Sequence, residues 1–331
     1  MKTEKKWSLS LAPMAGVTNK SFRQLIREIN GDTVDYIFTE MINATGVSRL
    51  DNGTLHLLPK KEEVCVVQIY GNNKPDLIKS AEYVCENYPN VTGIDLNAAC
   101  PVKKVVRNGS GSAMVHDLDV LRDILTELEA TVHRYGKTVS LKIRKGWEGY
   151  ENYQEIIRLC DETGMDFVSV HGRTVEQGYS GEADLTILER IEKTDRTKVF
   201  WTGDVFELDQ IDRILKYEDV LDGILFARGT FGNPWLIRDT RDYLEDREIM
   251  EIPFEERKRI ILRHVELLLE EYREYKVIGQ FKRFIAGYTK GMRNAREKRN
   301  KIYRVNNLQE MVDLLILTIA DDYKLEAAEE N

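Results

Sequence analysis

Short apolar runs rich in β-branched residues recur along the chain, separated by longer stretches whose apolar positions follow a helical spacing. The runs lie at residues 8–12, 36–39, 65–69, 93–96, 139–143, 167–170, 199–201 and 223–226. Each reads as a strand and the intervals as amphipathic helices; in 117–135, for example, Leu118, Leu121, Leu125 and Leu128 fall on one face. Eight strands, each followed by a helix, predict a closed (β/α)8 TIM barrel in preference to an open doubly wound sheet. Such barrels take about 250 residues, which places the end of the barrel near Glu245.

Beyond that point the pattern changes. Residues 246–253 read as a linker, and only helical periodicity follows. Phe281, Phe284, Ile285 and Tyr288 make one apolar stripe, and Leu308, Met311, Val312, Leu315, Ile316 and Ile319 make a second. The expectation is a barrel domain over 1–245 and a small all-helical domain over 246–331, with a tail that frays from Ala327.

In a barrel, the C-terminal ends of the strands build the active site. Those positions carry Pro13-Met14-Ala15-Gly16, then Glu40, Gln68, and Asn97 with Cys100 three residues on. Next come Lys142 and Arg144, His171 and Arg173, Gly203-Asp204, and Ala227-Arg228-Gly229. Polar groups at so many rim positions describe one concave site. The last two loops suit a phosphate, because glycine lets backbone N–H groups approach it closely. Lys142 ends a buried strand, where an unpaired ammonium is costly. It needs either an acid, such as Glu40, or the electron-rich edge of a bound cofactor.

Charge changes the picture in one place. The chain of 331 residues has 48 Lys and Arg against 56 Asp and Glu, a net −8 that by itself opposes nucleic-acid binding. Residues 276–304, however, hold ten Lys and Arg against Glu297 alone, which is +9 there and −17 over the rest. A local basic surface on an acidic body still attracts a polyanion, because salt screens the distant charges. The four cysteines, at 65, 85, 100 and 160, form no CxxC pair or Cys/His cluster, which argues against zinc and against a disulfide framework. Cys100 stands apart, in a loop before Pro101. No apolar run approaches the roughly 20 residues that span a bilayer, and the polar, lysine-rich start lacks an apolar leader. The expectation is a cytoplasmic protein without membrane contact. No Gly-x-Gly-x-x-Gly unit follows a strand, so no dedicated dinucleotide domain is expected.

The ordered motifs Leu11-Ala12-Pro13-Met14-Ala15-Gly16-Val17-Thr18, Val67-Gln68-Ile69-Tyr70-Gly71 and Ile94-Asp95-Leu96-Asn97-Ala98-Ala99-Cys100-Pro101 resemble those of the tRNA-dihydrouridine synthases. So do Gly109-Ser110-Gly111-Ser112-Ala113, Lys142-Ile143-Arg144-Lys145-Gly146-Trp147, His171-Gly172-Arg173-Thr174 and Ala227-Arg228-Gly229-Thr230-Phe231-Gly232-Asn233-Pro234-Trp235. The resemblance covers all eight strands in order and implies an FMN-binding barrel, a helical domain that helps hold tRNA, and NADPH as transient reductant. By it, Pro13, Met14 and Ala15 line the flavin, Gln68 and Lys142 contact its rings, and His171 lies close by. Thr202, Gly203, Asp204, Ala227 and Arg228 hold the cofactor's phosphate end. Cys100 matches the proton donor, and Asn97, Arg144, Arg173, Gln177 and Tyr179 lie at the target base. Lys282, Arg283, Arg293, Arg296 and Arg299 are the expected tRNA contacts, and a monomer is expected. Ala99 stands where the family has glycine, and Trp201-Thr202 replaces its small polar residues. Two alternatives stay open: an FMN barrel acting on a free pyrimidine, and a non-catalytic RNA-binding barrel.

Overall fold

Successive strand residues point to opposite faces, and the chain closes one set of faces into a barrel. The computed structural model describes residues 3, 5–192 and 194–329, with side chains to 325. Among them are nine parallel strands: β1 (Ser8–Leu11), β2 (Tyr36–Ile37), β3 (Ile42–Asn43), β4 (Cys65–Tyr70), β5 (Val91–Ala98), β6 (Thr138–Gly146), β7 (Phe167–Thr174), β8 (Lys198–Thr202) and β9 (Gly223–Phe226). Their order is β2-β1-β9-β8-β7-β6-β5-β4-β3. β2 and β3 are two halves of the second expected strand. It is split because its pairing changes partner midway, from β1 to β4. Phe38 N donates to Leu11 O (3.2 Å) and Thr39 N to Val66 O (2.9 Å), so the segment between the halves closes the sheet into a (β/α)8 barrel.

Inside, Tyr36, Phe38, Phe167 and Phe200 fill the end where the strands begin, with the Phe167 and Phe200 rings stacked at 4.6 Å. Toward the strand ends the inward positions turn polar: Gln68, Asp95, Asn97, Ser140, Arg144, Ser169 and His171 are all buried. β5, β6 and β7 run two, three and four residues past their expected ends, because polar inward residues interrupt the apolar pattern without interrupting the ladder. The outward residues pack under the helices, among them Leu118–His133, which Asp117 caps by accepting from Val120 N at 3.0 Å.

Residues 245–253 form no helix or strand. The described chain beyond them holds four helices, Phe254–Glu271, Glu274–Tyr288, Ala295–Arg304 and Leu308–Glu329. The expected tail is helical to Glu329; Glu330 and Asn331 lie outside the described residues. Helix Phe254–Glu271 lies on barrel helix Lys20–Asn30, where His264 meets Phe22 and Phe284 with ring centroids 5.7 and 4.5 Å apart. At Gly287 the backbones touch: a Cβ there would stand 2.1 Å from Phe231 O. These contacts fix the helices against the β9 and β1 side of the barrel.

Candidate active site

A cavity of about 340 Å3 opens at the C-terminal end of the strands. It brings together Pro13, Met14 and Ala15 after β1, Gln68 of β4, Asn97 and Cys100 of β5 and its loop, Lys142 and Arg144 of β6, and His171 of β7. Tyr179, Thr202, Gly203, Asp204, Ala227 and Arg228 complete the predicted residues on its wall. Arg173 and Gln177 are not on the wall, nor are Lys282, Arg283, Arg293, Arg296 and Arg299.

Cys100 sits on a turn built by side chains from below. Asn97 Oδ1 accepts from Cys100 N at 3.0 Å and from Ala99 N at 3.2 Å. Asn97 Nδ2 donates to Gln68 Oε1 (2.9 Å), Gln68 Nε2 to Asp95 Oδ2 (2.6 Å), and Ser140 Oγ to Asp95 Oδ1 (2.6 Å). From above, Ser112 Oγ donates to Cys100 O at 2.9 Å. Asn97 therefore spends its polar atoms inside the wall. Burial pushes the Cys100 thiol above its ordinary value, against the pull of the Val102 amide, so it keeps its proton at neutral pH.

Lys142 does not pair with Glu40. That carboxylate instead accepts from Gly16 N, and no described group hydrogen-bonds the Lys142 ammonium. Enclosure by the wall, reinforced by the charge of Arg144, pushes Lys142 down to about 8, while Asp95 pulls it upward. Lys142 is partly exposed and lines the cavity. His171 accepts from Arg173 at Nε2 (3.2 Å), which leaves the ring proton on Nδ1. Burial, then the charges of Lys142 and Arg144, push it far below the usual range, so the imidazole is neutral.

At the β8 and β9 loops, Arg173 is fully buried and clamps Asp204 with two bonds, Nη1 to Oδ1 (2.9 Å) and Nη2 to Oδ2 (2.7 Å). Its remaining donors go to Ser180 O, Gly181 O and His171 Nε2. Arg173 thus lies behind the wall: its guanidinium is already saturated and supports the loop that lines the cavity. Arg228 Nη2 reaches Asp204 Oδ1 at 3.2 Å from the other side and keeps part of its guanidinium open. Gly203, at φ +141°, has no space for a side chain, since a Cβ would lie 2.8 Å from Ala183 and 2.9 Å from His171. The two loops so present backbone and one guanidinium to the cavity, a donor set suited to an anion.

At the rim, Tyr179 is 66 % exposed, with Arg144 and Arg228 at 5.9 and 5.2 Å from its ring centre. Arg144 also donates to Ala99 O, Thr174 O and Gly178 O, each at 2.9 Å, and so ties the Cys100 turn to the loop carrying Tyr179. Gln177 Oε1 accepts from Thr174 N within that loop. Of the basic C-terminal residues, Lys282 donates to Tyr303 O and Arg283 to Gly16 O, so both are engaged within the protein. Arg296 is exposed and Arg299 partly so, on helix Ala295–Arg304, of which only Ile302 is buried.

Asp95, Ser112 and Ser140 join the site without being expected there. Asp95 lies two residues before Asn97, and this two-residue spacing on one strand is the available signal. Burial pushes its carboxyl up to about 6 despite the Ser140 and Gln68 hydrogen bonds. No group of three or more His, Cys, Asp or Glu side chains is arranged for a metal among the described residues, and no described helix is long and apolar enough to cross a membrane.

Known proteins share this arrangement of strands and motifs. Residues 10–324 match the family model of dihydrouridine synthase. A probable tRNA-dihydrouridine synthase of Aquifex aeolicus is 31 % identical over 93 % of this chain and 95 % of its own. The tRNA-dihydrouridine synthase B of Pseudomonas aeruginosa is 32 % identical over 90 % and 89 %. In structure, a histamine dehydrogenase from Rhizobium sp. 4-9 superposes with a TM-score of 0.53 at 12 % identity, over 79 % of this chain and 49 % of that one, and so shares the barrel fold. With a family match that spans nearly all of it and relatives aligned over most of both chains, the chain belongs to the dihydrouridine synthase family of enzymes.

Proposed function

We propose that this enzyme reduces the C5=C6 bond of uridines in tRNA to 5,6-dihydrouridine, with FMN as bound cofactor and NADPH as the source of electrons. The observation that carries the reading is one cavity wall with a protonated Cys100 thiol on it and a Lys142 ammonium without a hydrogen-bond partner among the described residues. The names of the Aquifex and Pseudomonas relatives point to the same substrate.

The residues fit FMN. Lys142 and Gln68 would meet the polar edge of its rings, with Pro13, Met14, Ala15 and His171 around them. Thr202, Gly203, Asp204, Ala227 and Arg228 would hold its phosphate, where glycine backbone and a partly open guanidinium are offered. Bound there and reduced by NADPH, FMN would supply a hydride for uracil C6.

The chain's own groups do the rest. C5=C6 is conjugated to C4=O, so negative charge moves to C5 and O4 as C6 is reduced. Arg144 provides positive charge beside that oxygen. The Cys100 thiol donates its proton to C5 from the opposite face, and its raised pKa keeps it protonated until that moment. Asn97 acts as a positioning residue, because it holds the amides of the Cys100 turn. Arg173 and Gln177 act likewise through the loop that carries Tyr179. A stacked uridine cannot reach the cavity, so the base is flipped out, at about a few kcal/mol. Arg293, Arg296 and Arg299 of the helical part, residues 246–331, would grip phosphates and offset that cost.

The test is the dihydrouridine content, by mass spectrometry, of tRNA from cells lacking this protein. Wild type should restore the modification at defined positions and Cys100→Ala should not. Unchanged tRNA in the deletion, with no second enzyme to mask the loss, would reject the reading.

A further inference from the structure

The barrel order puts β5 and β6 across the mouth from β9 and β1. The helical part is fixed on the β9 and β1 side, through Arg283 to Gly16 and Gly287 against Phe231. On the far side, helix Lys103–Arg107 follows the Cys100 turn directly, and Pro101 and Val102 before it line the cavity. Lys103, Lys104 and Arg107 are exposed, and none of their side chains hydrogen-bonds or ion-pairs with another described residue. Nearby Lys145 differs, since Glu151 and Asp184 hold it at 2.7 and 3.1 Å.

On the same side of the mouth, between and after β5 and β6, stands a row of rings. His116 lies 4.7 Å from Trp147 and 6.4 Å from Tyr150, nearly parallel to the latter at 11°. His116 is exposed and Tyr150 is 47 % exposed. The row is tied to the site: Trp147 Nε1 donates to Ser112 O at 3.3 Å, and the Ser112 hydroxyl holds Cys100 O.

We infer that helix Lys103–Arg107 and the His116–Trp147–Tyr150 row form a second RNA-contacting surface, which grips the tRNA on the side of the mouth opposite the helical part. The inference rests on the tRNA reading above. Free cations suit phosphates, and exposed rings suit bases that are unstacked next to a flipped nucleotide. An RNA bound at one edge alone can pivot about it. One bound at both edges must cross the mouth, over Cys100 and Lys142. The two surfaces thus define a strand path with the reacting groups at its middle.

The test uses the full-length, flavin-loaded protein and fluorescence anisotropy with an unmodified tRNA transcript across a salt series. The triple variant Lys103→Ala, Lys104→Ala, Arg107→Ala should bind at least tenfold more weakly. Its slope of log K against log salt should be shallower by about 2, at about 0.7–0.9 for each phosphate no longer neutralised. Tyr150→Ala should weaken binding about tenfold with the slope unchanged, as expected when a base has no ring to stack on. Flavin content and thermal midpoint should stay those of wild type, which separates these effects from misfolding. Wild-type affinity and slope in the triple variant would overturn the inference and leave the functional reading intact. A wild-type protein with no affinity for tRNA would overturn the functional reading and this inference with it.

Discussion

Asn97 Oδ1 takes the backbone amide of Cys100 at 3.0 Å, so the thiol's turn is held by a side chain of the strand that precedes it. Asn97→Ala leaves the amides of Ala99 and Cys100 and the carbonyl oxygen of Gln68 without that partner. Stability should drop by about 1–3 kcal/mol, the usual result of stranding buried polar groups. Turnover on tRNA should fall by about 10²-fold in kcat, because displacement of a reacting group by roughly 1 Å has that effect. KM should change little. Steady-state kinetics beside a urea titration checks both, and a variant with wild-type kcat would remove Asn97 from the positioning role.

Asp95 makes stability depend on pH. Its folded pKa of about 6 lies above the ordinary 3.8. Below about pH 4 the carboxyl is protonated in both the folded and unfolded chain, and no penalty exists. As pH rises through 6, the folded protein must ionise it in a buried site, and stability falls by roughly 3 kcal/mol by linkage. Other carboxylates, such as Asp204, shift the opposite way, so the informative quantity is a difference. Urea unfolding from pH 4 to 7 should show this decline in wild type relative to Asp95→Asn. Parallel curves would refute it.

Lys142 trades stability for binding. Its folded pKa of about 8 lies below the ordinary 10.5, so the flavin-free protein bears the cost of a charged, enclosed ammonium below pH 8 and loses that cost as pH rises to 10.5. Lys142→Met should therefore melt higher than wild type at pH 7 without flavin, with the advantage gone near pH 10.5. The same variant should bind FMN more weakly by flavin-fluorescence quenching. A lower melting point at pH 7 would contradict the assignment.

Two arginines of the basic stretch should separate. Arg283 holds Gly16 O, next to the Met14 and Ala15 that line the cavity, so Arg283→Ala should loosen FMN severalfold in equilibrium dialysis. Arg296 is exposed and does not line the cavity, so Arg296→Ala should weaken tRNA binding and leave FMN affinity unchanged. Equal effects of both variants on FMN would show that the loop is not held by Arg283.

The barrel is legible because its strands carry apolar outer faces, and its rim because polar residues at strand ends stand out against them. Arg173 reads as a pocket residue because it shares strand parity with His171. Only the structure shows it turned to Asp204, a partner 31 residues away that no local pattern links to it. Asp95 escapes notice for the converse reason: it sits within a strand, where alternation marks it as inward but does not reveal what it meets. Charge counting finds the basic stretch yet does not tell Arg283, spent on a backbone carbonyl, from Arg296. The split of the second strand is hidden too, since partner exchange depends on barrel closure.

The chain of hydrogen bonds from Ser140 to Cys100 has a polarity. An amide side chain can turn end for end with almost no change in shape, so Gln68 and Asn97 are each reversible as isolated groups. Asp95, while ionised, can only accept. It obliges Gln68 to present nitrogen downward and oxygen upward, which obliges Asn97 to do the same, and only then does an acceptor face the Cys100 amide. The orientation of the thiol's turn is thus enforced from below by a carboxylate that never touches it. Asparagine at position 95, nearly identical in shape, would present both a donor and an acceptor, and the direction of the two amides above it would then rest on the backbone N–H groups of Ala99 and Cys100 alone.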